Sequence, residues 1–435
     1  RSGDRFTADQ GNVSALHKRG SFKSPPHGDA DGRDSQYCKD MEQTRPFEWP
    51  QKFGGGRGMS RFLIACGGTG GHLAPGLALA QWLTAEGHRP LLLISNKQID
   101  TRLVEKYPEI EFQIIPGAPL AMGAKGLLIF ALQQTRGLFF SWRLIRRERP
   151  VLIVGFGGFT TASIIFVGWL RGVPVALHEA NRVVGRAVRA LARFANRVYL
   201  PRGVGFENLN RAKLRHVGLP VRDEVRRIPR HEAAEVFGLD PNKKTLVVMG
   251  GSQAAQALTQ WATERAEFWA RKNVQLLIVA GPKSGEAKSI HNEGLEGTLV
   301  KTVTIPFCDH MSALYSVGDL VVSRSGAGTL AELVRCQTPA VLVPYPYAAD
   351  QHQAANAVEF VRRGGSAMVP ESELDRLENE VEILISADTQ LAAIQAQLRE
   401  MERAEALDLM FADLEVLAGL KDSEVSVSHR GAVAS

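Results

Sequence analysis

Two glycine-rich turns, one near each end of the apolar part of the chain, have a composition suited to binding phosphate. Residues 66–72 read Cys-Gly-Gly-Thr-Gly-Gly-His and residues 323–329 read Ser-Arg-Ser-Gly-Ala-Gly-Thr. Each turn follows a short apolar run, 62–65 or 320–322, and precedes a helical pattern. Glycine lets backbone N–H groups approach a ligand closely, and the following helix places about half a positive charge at its N-terminus. Two such turns predict two ligands that meet in a cleft.

Two further glycine clusters, at 155–160 and 250–253, also stand at the ends of predicted strands. Ligands of open α/β sheets bind at this edge of the sheet. A single glycine turn more often serves backbone geometry alone, whereas four of them at sheet ends favour phosphorylated ligands. The second phosphate turn matches the dinucleotide fingerprint only loosely, and the sequence contains no P-loop string, which excludes a P-loop NTPase.

The elements that must position these turns follow an alternating pattern. From Arg61 onward, apolar runs alternate with segments of helix length, and the alternation restarts at Thr245 after a charged stretch at 223–235. This pattern is typical of parallel sheets with crossover helices. We therefore predict an α/β fold with two Rossmann-like, doubly wound parallel-sheet domains that face each other across a cleft. The predicted strands are 62–65, 91–95, 111–115, 151–155, 174–178, 197–200, 245–249, 274–280, 320–322 and 340–343.

Composition divides the chain into five predicted segments. Residues 1–58 are polar and lack hydrophobic periodicity, so we expect a disordered leader or an upstream artefact. Residues 59–221 form the predicted N-terminal domain, and residues 222–386 form the C-terminal domain. The amphipathic stretch 387–415 is predicted to be a helix that packs back on the N-terminal domain, and 416–435 is a polar tail.

Bulk properties narrow the class of protein further. A chain of 435 residues with 44% hydrophobic and 23% charged residues is typical of a globular protein with two cores. The formal net charge of +6 favours an anionic partner, such as lipid, nucleotide phosphate or nucleic acid. Four widely separated cysteines without a CxxC pair indicate a reducing, cytoplasmic compartment. No apolar run approaches the roughly 18 to 20 residues that span a bilayer, so we expect no membrane crossing.

The segment 125–149 combines aromatic and aliphatic residues with five arginines. Such a combination suits docking on an anionic membrane surface, where each exposed basic residue contributes about 1 kcal/mol. A buried crossover helix would explain most of the same apolar residues, so both interpretations stay open. The basic cluster matches no nucleic-acid-binding fold, and nucleic acid is not an expected partner.

A series of short motifs occurs in the order found in one known family. The motifs are Gly67-Gly68-Thr69-Gly70-Gly71-His72 with Pro75-Gly76, His178-Glu179-Ala180-Asn181, Gly250-Gly251-Ser252-Gln253, Ser325-Gly326-Ala327-Gly328-Thr329 with Glu332, and Asp350-Gln351-His352-Gln353 with Asn356. By these motifs the region from about Met59 to Ala412 resembles the peptidoglycan N-acetylglucosaminyltransferases of glycosyltransferase family 28. The resemblance implies a GT-B fold and an enzyme of cell-wall synthesis, peripheral on the cytoplasmic face of the cell membrane.

The implied reaction is the inverting transfer of GlcNAc from UDP-GlcNAc to the C4 hydroxyl of undecaprenyl-diphospho-MurNAc-pentapeptide. It implies no metal and no other cofactor. The residues agree with this, since the only Asp-x-Asp string, at 29–31, lies in the predicted leader. Helix N-termini would then have to stabilise the charge of the departing UDP.

On the donor side, the resemblance implies roles for residues of the C-terminal domain. Glu332 would bind the ribose, because a carboxylate accepts hydrogen bonds from both hydroxyls of a cis-diol. Arg222 would add positive charge at the diphosphate, beside Ser252. The main chain of Cys308 would face the uracil. The other implied donor-site residues are Ala327, Gly328, Thr329, Leu330 and Ala331 around the phosphate and ribose, Gln353 on the sugar, and Asn356.

On the acceptor side, His72 is the candidate general base for the acceptor hydroxyl. A helix N-terminus disfavours the imidazolium, which keeps the ring able to accept a proton. The alternative is that His72 only hydrogen-bonds the acceptor or its diphosphate. Glu179 is the second candidate for the base, with a structural hydrogen-bonding role as its alternative. The remaining candidates are Thr69, Gly70 and Gly71 for phosphates and Asn181 for a sugar.

The chain departs from the family pattern at a few positions. Residues 254–256 read Ala-Ala-Gln where the family usually has Gly-Ala-Arg, Ala180 replaces a common glutamine, and Phe159 replaces a common tyrosine. These changes affect acceptor-side and phosphate contacts. Three other functions stay open: another UDP-sugar-dependent glycolipid glycosyltransferase, a UDP-GlcNAc epimerase, and a non-catalytic sugar-nucleotide-binding subunit.

Overall fold

The computed structural model describes residues 59–67, 70–95, 106–117, 123–158, 161–207, 209–250, 255–282, 284–404 and 407–421. These residues contain two seven-stranded sheets, one in each half of the chain. The predicted leader, residues 1–58, lies outside the described residues.

The N-terminal sheet is entirely parallel, with strand order β3-β2-β1-β4-β5-β6-β7. Its strands are β1 Arg61–Ala65, β2 Arg89–Ile94, β3 Glu111–Ile114, β4 Leu152–Gly155, β5 Val175–His178, β6 Arg197–Leu200 and β7 Leu214–His216. Its helices are α1 Gly70–Ala85, α2 Ala124–Glu148, α3 Thr161–Leu170 and α4 Arg186–Leu191.

The C-terminal sheet has strand order β10-β11-β9-β8-β12-β13-β14 and is parallel except for its edge strand β10. Its strands are β8 Lys244–Met249, β9 Val274–Val279, β10 Lys288–Glu293, β11 Leu299–Ile305, β12 Leu320–Ser323, β13 Ala340–Leu342 and β14 Ser366–Met368. The helices of this half are α5 Arg230–Phe237, α6 Ala255–Glu264, α7 Ala266–Arg271, α8 Met311–Val317, α9 Ala327–Cys336, α10 His352–Arg362, α11 Leu374–Ser386, α12 Asp388–Ala404 and α13 Leu407–Leu417.

The central strands are apolar along most of their length because both faces of each sheet are covered. In β1, Ile64 packs into the core on one side of the sheet, while Leu63 packs into the core on the other. In β8, Val247 and Leu246 divide between two cores in the same way. The predicted class of fold, two α/β domains on largely parallel sheets, is therefore confirmed.

Four strands are absent from the sequence-based prediction: β7, β10, β11 and β14. Both β7 and β14 have only three residues, Leu-Arg-His and Ser-Ala-Met, and neither forms an apolar run as the equally short β13 does. Strand β10 is a polar, largely exposed edge strand with the sequence Lys-Ser-Ile-His-Asn-Glu, and β11 is interrupted by Lys301. The sequence pattern detects burial, and these strands are short, exposed or mixed in polarity.

The linker between the domains lies near the predicted boundary. Val217 belongs to a core of the N-terminal domain, and Val225 belongs to a core of the C-terminal domain. Only a few residues therefore connect the two sheets directly.

The predicted single helix at 387–415, packed on the N-terminal domain, is wrong in its first part. The structure has two helices here, and α12 packs on the C-terminal domain through Leu391, Leu398 and Met401. Amphipathic spacing identifies a buried face but not the domain that covers it.

Only α13 returns to the N-terminal domain. Its Phe411 stacks on Trp82 with ring centroids 4.3 Å apart. Its Asp413 accepts a hydrogen bond from the Tyr199 hydroxyl at 2.8 Å and pairs with Arg197 at 3.1 Å. The first residues of the predicted polar tail also belong to this packing, since Leu420 lies against the same core. The rest of that tail, 422–435, lies outside the described residues.

Candidate active site

The two predicted phosphate turns come from corresponding places in the two sheets. Helix α1 begins shortly after β1, which lies between β2 and β4, and α9 begins shortly after β12, which lies between β8 and β13. The helices α1 and α9 contact each other across the cleft between the domains. The first turn of each contains no acidic residue, so the positive ends of both helix dipoles are available to anions.

The donor-side turn is continuous with α9. Gly326 is the N-cap residue in an extended conformation, and its carbonyl accepts a hydrogen bond from the Leu330 N–H at 3.0 Å. Ala327, Gly328 and Thr329 form the first turn of the helix and are partly exposed. Ala331 is buried on the face that packs inward. The first turn of α9 is therefore accessible at its N-terminal end, and its contact with the donor phosphates stays a prediction.

His72 lies in the first turn of α1, next to the predicted phosphate residues Gly70 and Gly71. Its ring packs against Gly157, where a Cβ atom would come within 3.4 Å of His72 Nε2. Gly157 has φ +92°, a left-handed conformation that favours glycine. The third glycine cluster therefore leaves space for the His72 ring at the edge of the cleft.

Glu179 is only 5% exposed, and both of its carboxylate oxygens are used within its own loop. Oε1 accepts from the backbone N–H of Asn181 at 2.9 Å and from Asn181 Nδ2 at 3.0 Å. Oε2 accepts from the backbone N–H of Gly185 at 2.8 Å. This arrangement favours the structural role of Glu179 over the role of base.

Asn181 and Asn356, both predicted to bind substrate, are hydrogen-bonded to each other across the two domains. Asn356 Nδ2 donates to Asn181 Oδ1 and to the carbonyl of Ser325, each at 3.1 Å. Asn356 Oδ1 accepts from the backbone N–H of Arg182 at 2.9 Å. Asn356 is 4% exposed, and the described contacts use both ends of its amide. The pair therefore joins the two domains at this point of the cleft.

Gln353 is held in an orientation suited to donating a hydrogen bond. Its Oε1 accepts from the backbone N–H of Tyr345 at 3.0 Å, and its backbone carbonyl accepts from Ser325 Oγ at 2.8 Å. Gln353 Nε2 is the donor of this side chain, and its contact with the sugar stays a prediction. The preceding residues Asp350 and Gln351 both have φ near +50°, a strained backbone for side-chain-bearing residues that is common at binding sites.

Glu332 is oriented from two sides. Its Oε1 accepts from Arg222 Nη2 at 3.2 Å, and its Oε2 accepts from the Tyr315 hydroxyl at 2.9 Å. Burial lowers the pKa of Arg222, but the neighbouring carboxylates, Glu332 foremost, outweigh it and the net pKa is raised. Burial and the Glu332 carboxylate raise the pKa of Tyr315, which therefore remains a hydrogen-bond donor.

Cys308 follows β11 in the loop predicted to face the uracil. Burial raises the pKa of its thiol to about 12, which suits a main-chain role rather than thiolate chemistry. From the N-terminal domain, Lys106 pairs with Asp309 and lies 5.3 Å from the centroid of the Phe307 ring. The loop is thus in contact with both domains.

The structure adds functional candidates that sequence reasoning missed. Lys106 and Tyr107 reach the donor loop and Arg222, although they lie in a segment without a recognisable motif. Tyr315 lies on α8, where its apolar neighbours suggest a plain core position. The predicted residues Thr69 and Ser252, together with Ala254 and Phe159, lie outside the described residues.

Two Rossmann-like domains that face each other across a cleft, each with a helix N-terminus beside it, are the architecture of the GT-B fold class. The model of the glycosyltransferase family 28 N-terminal domain matches residues 62–200, and the model of its C-terminal domain matches residues 245–410. The chain therefore belongs to glycosyltransferase family 28, which confirms the resemblance inferred from the motifs.

Similar proteins carry a consistent name. The chain is 47% identical over 357 residues to the UDP-N-acetylglucosamine–N-acetylmuramyl-(pentapeptide) pyrophosphoryl-undecaprenol N-acetylglucosamine transferase of Opitutus terrae, covering 82% of this chain and 95% of that protein. The protein of the same name from Chelativorans sp. is 35% identical over 372 residues, with coverage of 82% and 95%. The crystal structure of Acinetobacter baumannii MurG matches with a TM-score of 0.58 at 22% identity, covering 79% of this chain and 95% of that one.

Proposed function

We propose that this protein transfers GlcNAc, with inversion, from UDP-GlcNAc to the C4 hydroxyl of undecaprenyl-diphospho-MurNAc-pentapeptide in peptidoglycan synthesis. The observation that carries the proposal is the 47% identity to a transferase of that name over 82% of the chain. The cleft supports it, since helix α9 presents its N-terminus beside Glu332, as the donor nucleotide requires. The enzyme is therefore an N-acetylglucosaminyltransferase of glycosyltransferase family 28.

In this mechanism the acceptor C4 oxygen attacks C1 of GlcNAc on the face opposite the diphosphate. The bond between C1 and the diphosphate oxygen breaks, and UDP leaves with the electron pair. His72 takes the proton from the attacking hydroxyl. The N–H groups of the first turn of α9 stabilise the negative charge that develops on the departing UDP. Glu179 supports this site by fixing the loop that carries Asn181.

The test is UDP release by the full chain in EDTA, with and without a short-chain lipid-diphosphate-linked MurNAc-pentapeptide. Acceptor-dependent release with a GlcNAc-containing product supports the proposal. Conversion of UDP-GlcNAc without any acceptor would instead identify an epimerase. Release with a diacylglycerol acceptor alone would identify another glycolipid transferase, and donor binding without turnover would identify a binding subunit.

We also infer that the N-terminal domain rests on the anionic cytoplasmic surface of the cell membrane. Helix α2 buries Leu144 and Ile145 in the core, as a crossover helix should, but exposes Phe139 and Trp142 on its other side, 65% and 38% exposed. Arginine side chains lie over both rings: Arg143 is 5.8 Å from the Phe139 centroid, and a residue just beyond α3, Arg171, is 4.7 Å from that of Trp142. Among the residues that the structure describes, no helix has the length and apolar character to cross a bilayer.

Phe139→Glu is expected to weaken binding to vesicles that contain phosphatidylglycerol by about tenfold or more, because burying a phenylalanine side chain contributes about 1.5–3 kcal/mol. Co-sedimentation with the vesicles measures the bound fraction. Ile383→Glu is the matched control, since Ile383 is 52% exposed on α11 of the other domain. Equal retention of Phe139→Glu and the parent protein on these vesicles would contradict the inference.

A further inference from the structure

The carboxylate of Glu332 is the end point of a hydrogen-bonded chain that crosses the cleft. Within the C-terminal domain it accepts from Tyr315, and from the linker it accepts from Arg222. Arg222 Nη1 in turn donates to the hydroxyl of Tyr107 at 3.2 Å. Tyr107 lies between β2 and β3 of the N-terminal domain, so the orientation of Glu332 depends on both domains.

The hydroxyl of Tyr107 both accepts and donates a hydrogen bond. It accepts from Arg222 and donates to Glu224 Oε1. Glu224 is itself held by Gln81 of α1, whose Nε2 donates to Oε2 at 3.1 Å. Burial raises the pKa of Tyr107, which keeps this hydroxyl protonated at neutral pH. Without the hydroxyl, Arg222 Nη1 would retain only its 3.6 Å ion pair with Glu224.

The residue before Tyr107 contacts the other half of the predicted nucleoside site. Lys106 pairs with Asp309 and lies over Phe307, on either side of Cys308. Lys106 therefore contacts the loop expected to bind the uracil base. Its neighbour Tyr107 contacts Arg222, the residue that orients the carboxylate expected to bind the ribose. These contacts join the two domains, so separating the domains would break them.

We propose that Tyr107 is a positioning residue that makes recognition of the donor ribose depend on closure of the two domains. The proposal rests on the proposed function, in which Glu332 binds the ribose diol. With Tyr107 in place, Arg222 and Tyr315 hold both oxygens of Glu332, so the carboxylate is already oriented for the two hydroxyls. If a nucleotide binds the closed arrangement of the domains more tightly than an open one, its binding shifts the equilibrium towards the closed arrangement. The size of the shift is set by the difference between the two affinities.

The experiment compares Tyr107→Phe with the parent protein by calorimetric titration with UDP and with 2′-deoxy-UDP. The expected result is a Kd for UDP raised about tenfold or more, as for the loss of one hydrogen bond to a charged partner. The Kd for 2′-deoxy-UDP should rise less, so the ratio of the Kd for 2′-deoxy-UDP to the Kd for UDP should fall towards one. In turnover, the donor KM should rise by the same factor as the Kd for UDP, with kcat within about twofold of the parent value.

Tyr199→Phe is the matched control, because it removes a buried tyrosine hydroxyl bonded to the carboxylate of Asp413 away from the cleft. It should lower the melting temperature without changing the ratio of Kd values. If Tyr107→Phe folds poorly, Glu224→Gln tests the same chain by weakening the acceptor of the tyrosine hydroxyl, and the same fall in the ratio is expected.

Two results would overturn the proposal, and they differ in what else they overturn. In the first, the parent protein binds UDP more tightly than 2′-deoxy-UDP, and Glu332→Gln abolishes that difference in Kd. If Tyr107→Phe and Glu224→Gln both keep the difference, only the role of Tyr107 is wrong. If the parent binds UDP and 2′-deoxy-UDP equally, the assignment of Glu332 to the ribose is wrong and the role of Tyr107 falls with it. Acceptor-dependent UDP release would stand in either case.

Discussion

Replacing His72 with alanine should lower kcat by about 10²-fold or more, the size expected when a general base is removed. His72 lies in the first turn of α1, against Gly157, at the edge of the cleft. Without the ring, the acceptor hydroxyl has no group at this position to take its proton as the bond to GlcNAc forms. Steady-state UDP release at saturating donor and acceptor measures the change.

Two observations separate the role of base from a simple hydrogen bond to the acceptor. Loss of a base removes the acidic limb of the pH–rate profile, whereas loss of a hydrogen bond mainly raises the acceptor KM. His291→Ala on the exposed edge strand β10 is the control and should match the parent. Equal kcat for His72→Ala and the parent would eliminate the assignment.

Replacing Glu332 with alanine should raise the donor KM by about 10²-fold while kcat changes little. Two hydrogen bonds from a ribose diol to a charged acceptor are worth about 3 kcal/mol together, and each 1.4 kcal/mol corresponds to a factor of ten in affinity. The effect falls on KM because the ribose is bound equally in the ground state and the transition state. Initial rates over a series of UDP-GlcNAc concentrations measure it.

The control for this substitution must remove a carboxylate that is also paired with an arginine but lies outside the cleft. Glu402→Ala does so, because Glu402 of α12 pairs with Arg335 of α9 at 2.8 Å. It should leave the donor KM unchanged. Thermal unfolding of both variants shows how much of the result comes from stability, since Glu332→Ala also leaves the Arg222 guanidinium buried without this partner. An unchanged donor KM in Glu332→Ala would refute the ribose assignment.

Much of the architecture was predictable because its signals are local. Nine of the ten predicted strands are apolar runs that are buried in the structure, as expected for a parallel sheet covered on both faces. The tenth, the edge strand β3, is largely exposed. The positions of the turns before α1 and α9 were equally readable, because a glycine cluster between a strand and a helix is a feature of neighbouring residues. The strands that escaped prediction, such as β10, are exposed or lack a continuous apolar run.

The roles of the site residues are less predictable from local sequence than the strands and turns are. Glu179, Asn181 and Asn356 were recognised as members of motifs, but their partners in space decide what they do. Glu179 holds its own loop, and the two asparagines join the domains. Tyr107 has no motif at all, and its role follows from contacts with Glu224 and Arg222, each more than 100 positions away in the chain.

The class of fold, the family and the two turns at which phosphates are expected all follow from the amino-acid sequence. Each of these depends on residue types within a few positions of one another, or on motifs that keep their order. Only the tertiary structure reveals that α12 and α13 pack on different domains and that Glu332 accepts hydrogen bonds from Tyr315 of its own domain and from Arg222 of the linker. Those features depend on which surfaces, distant in the sequence, come into contact. An amphipathic helix can pack on either domain, and a single polar residue can bond to many others, so the sequence pattern does not select between them.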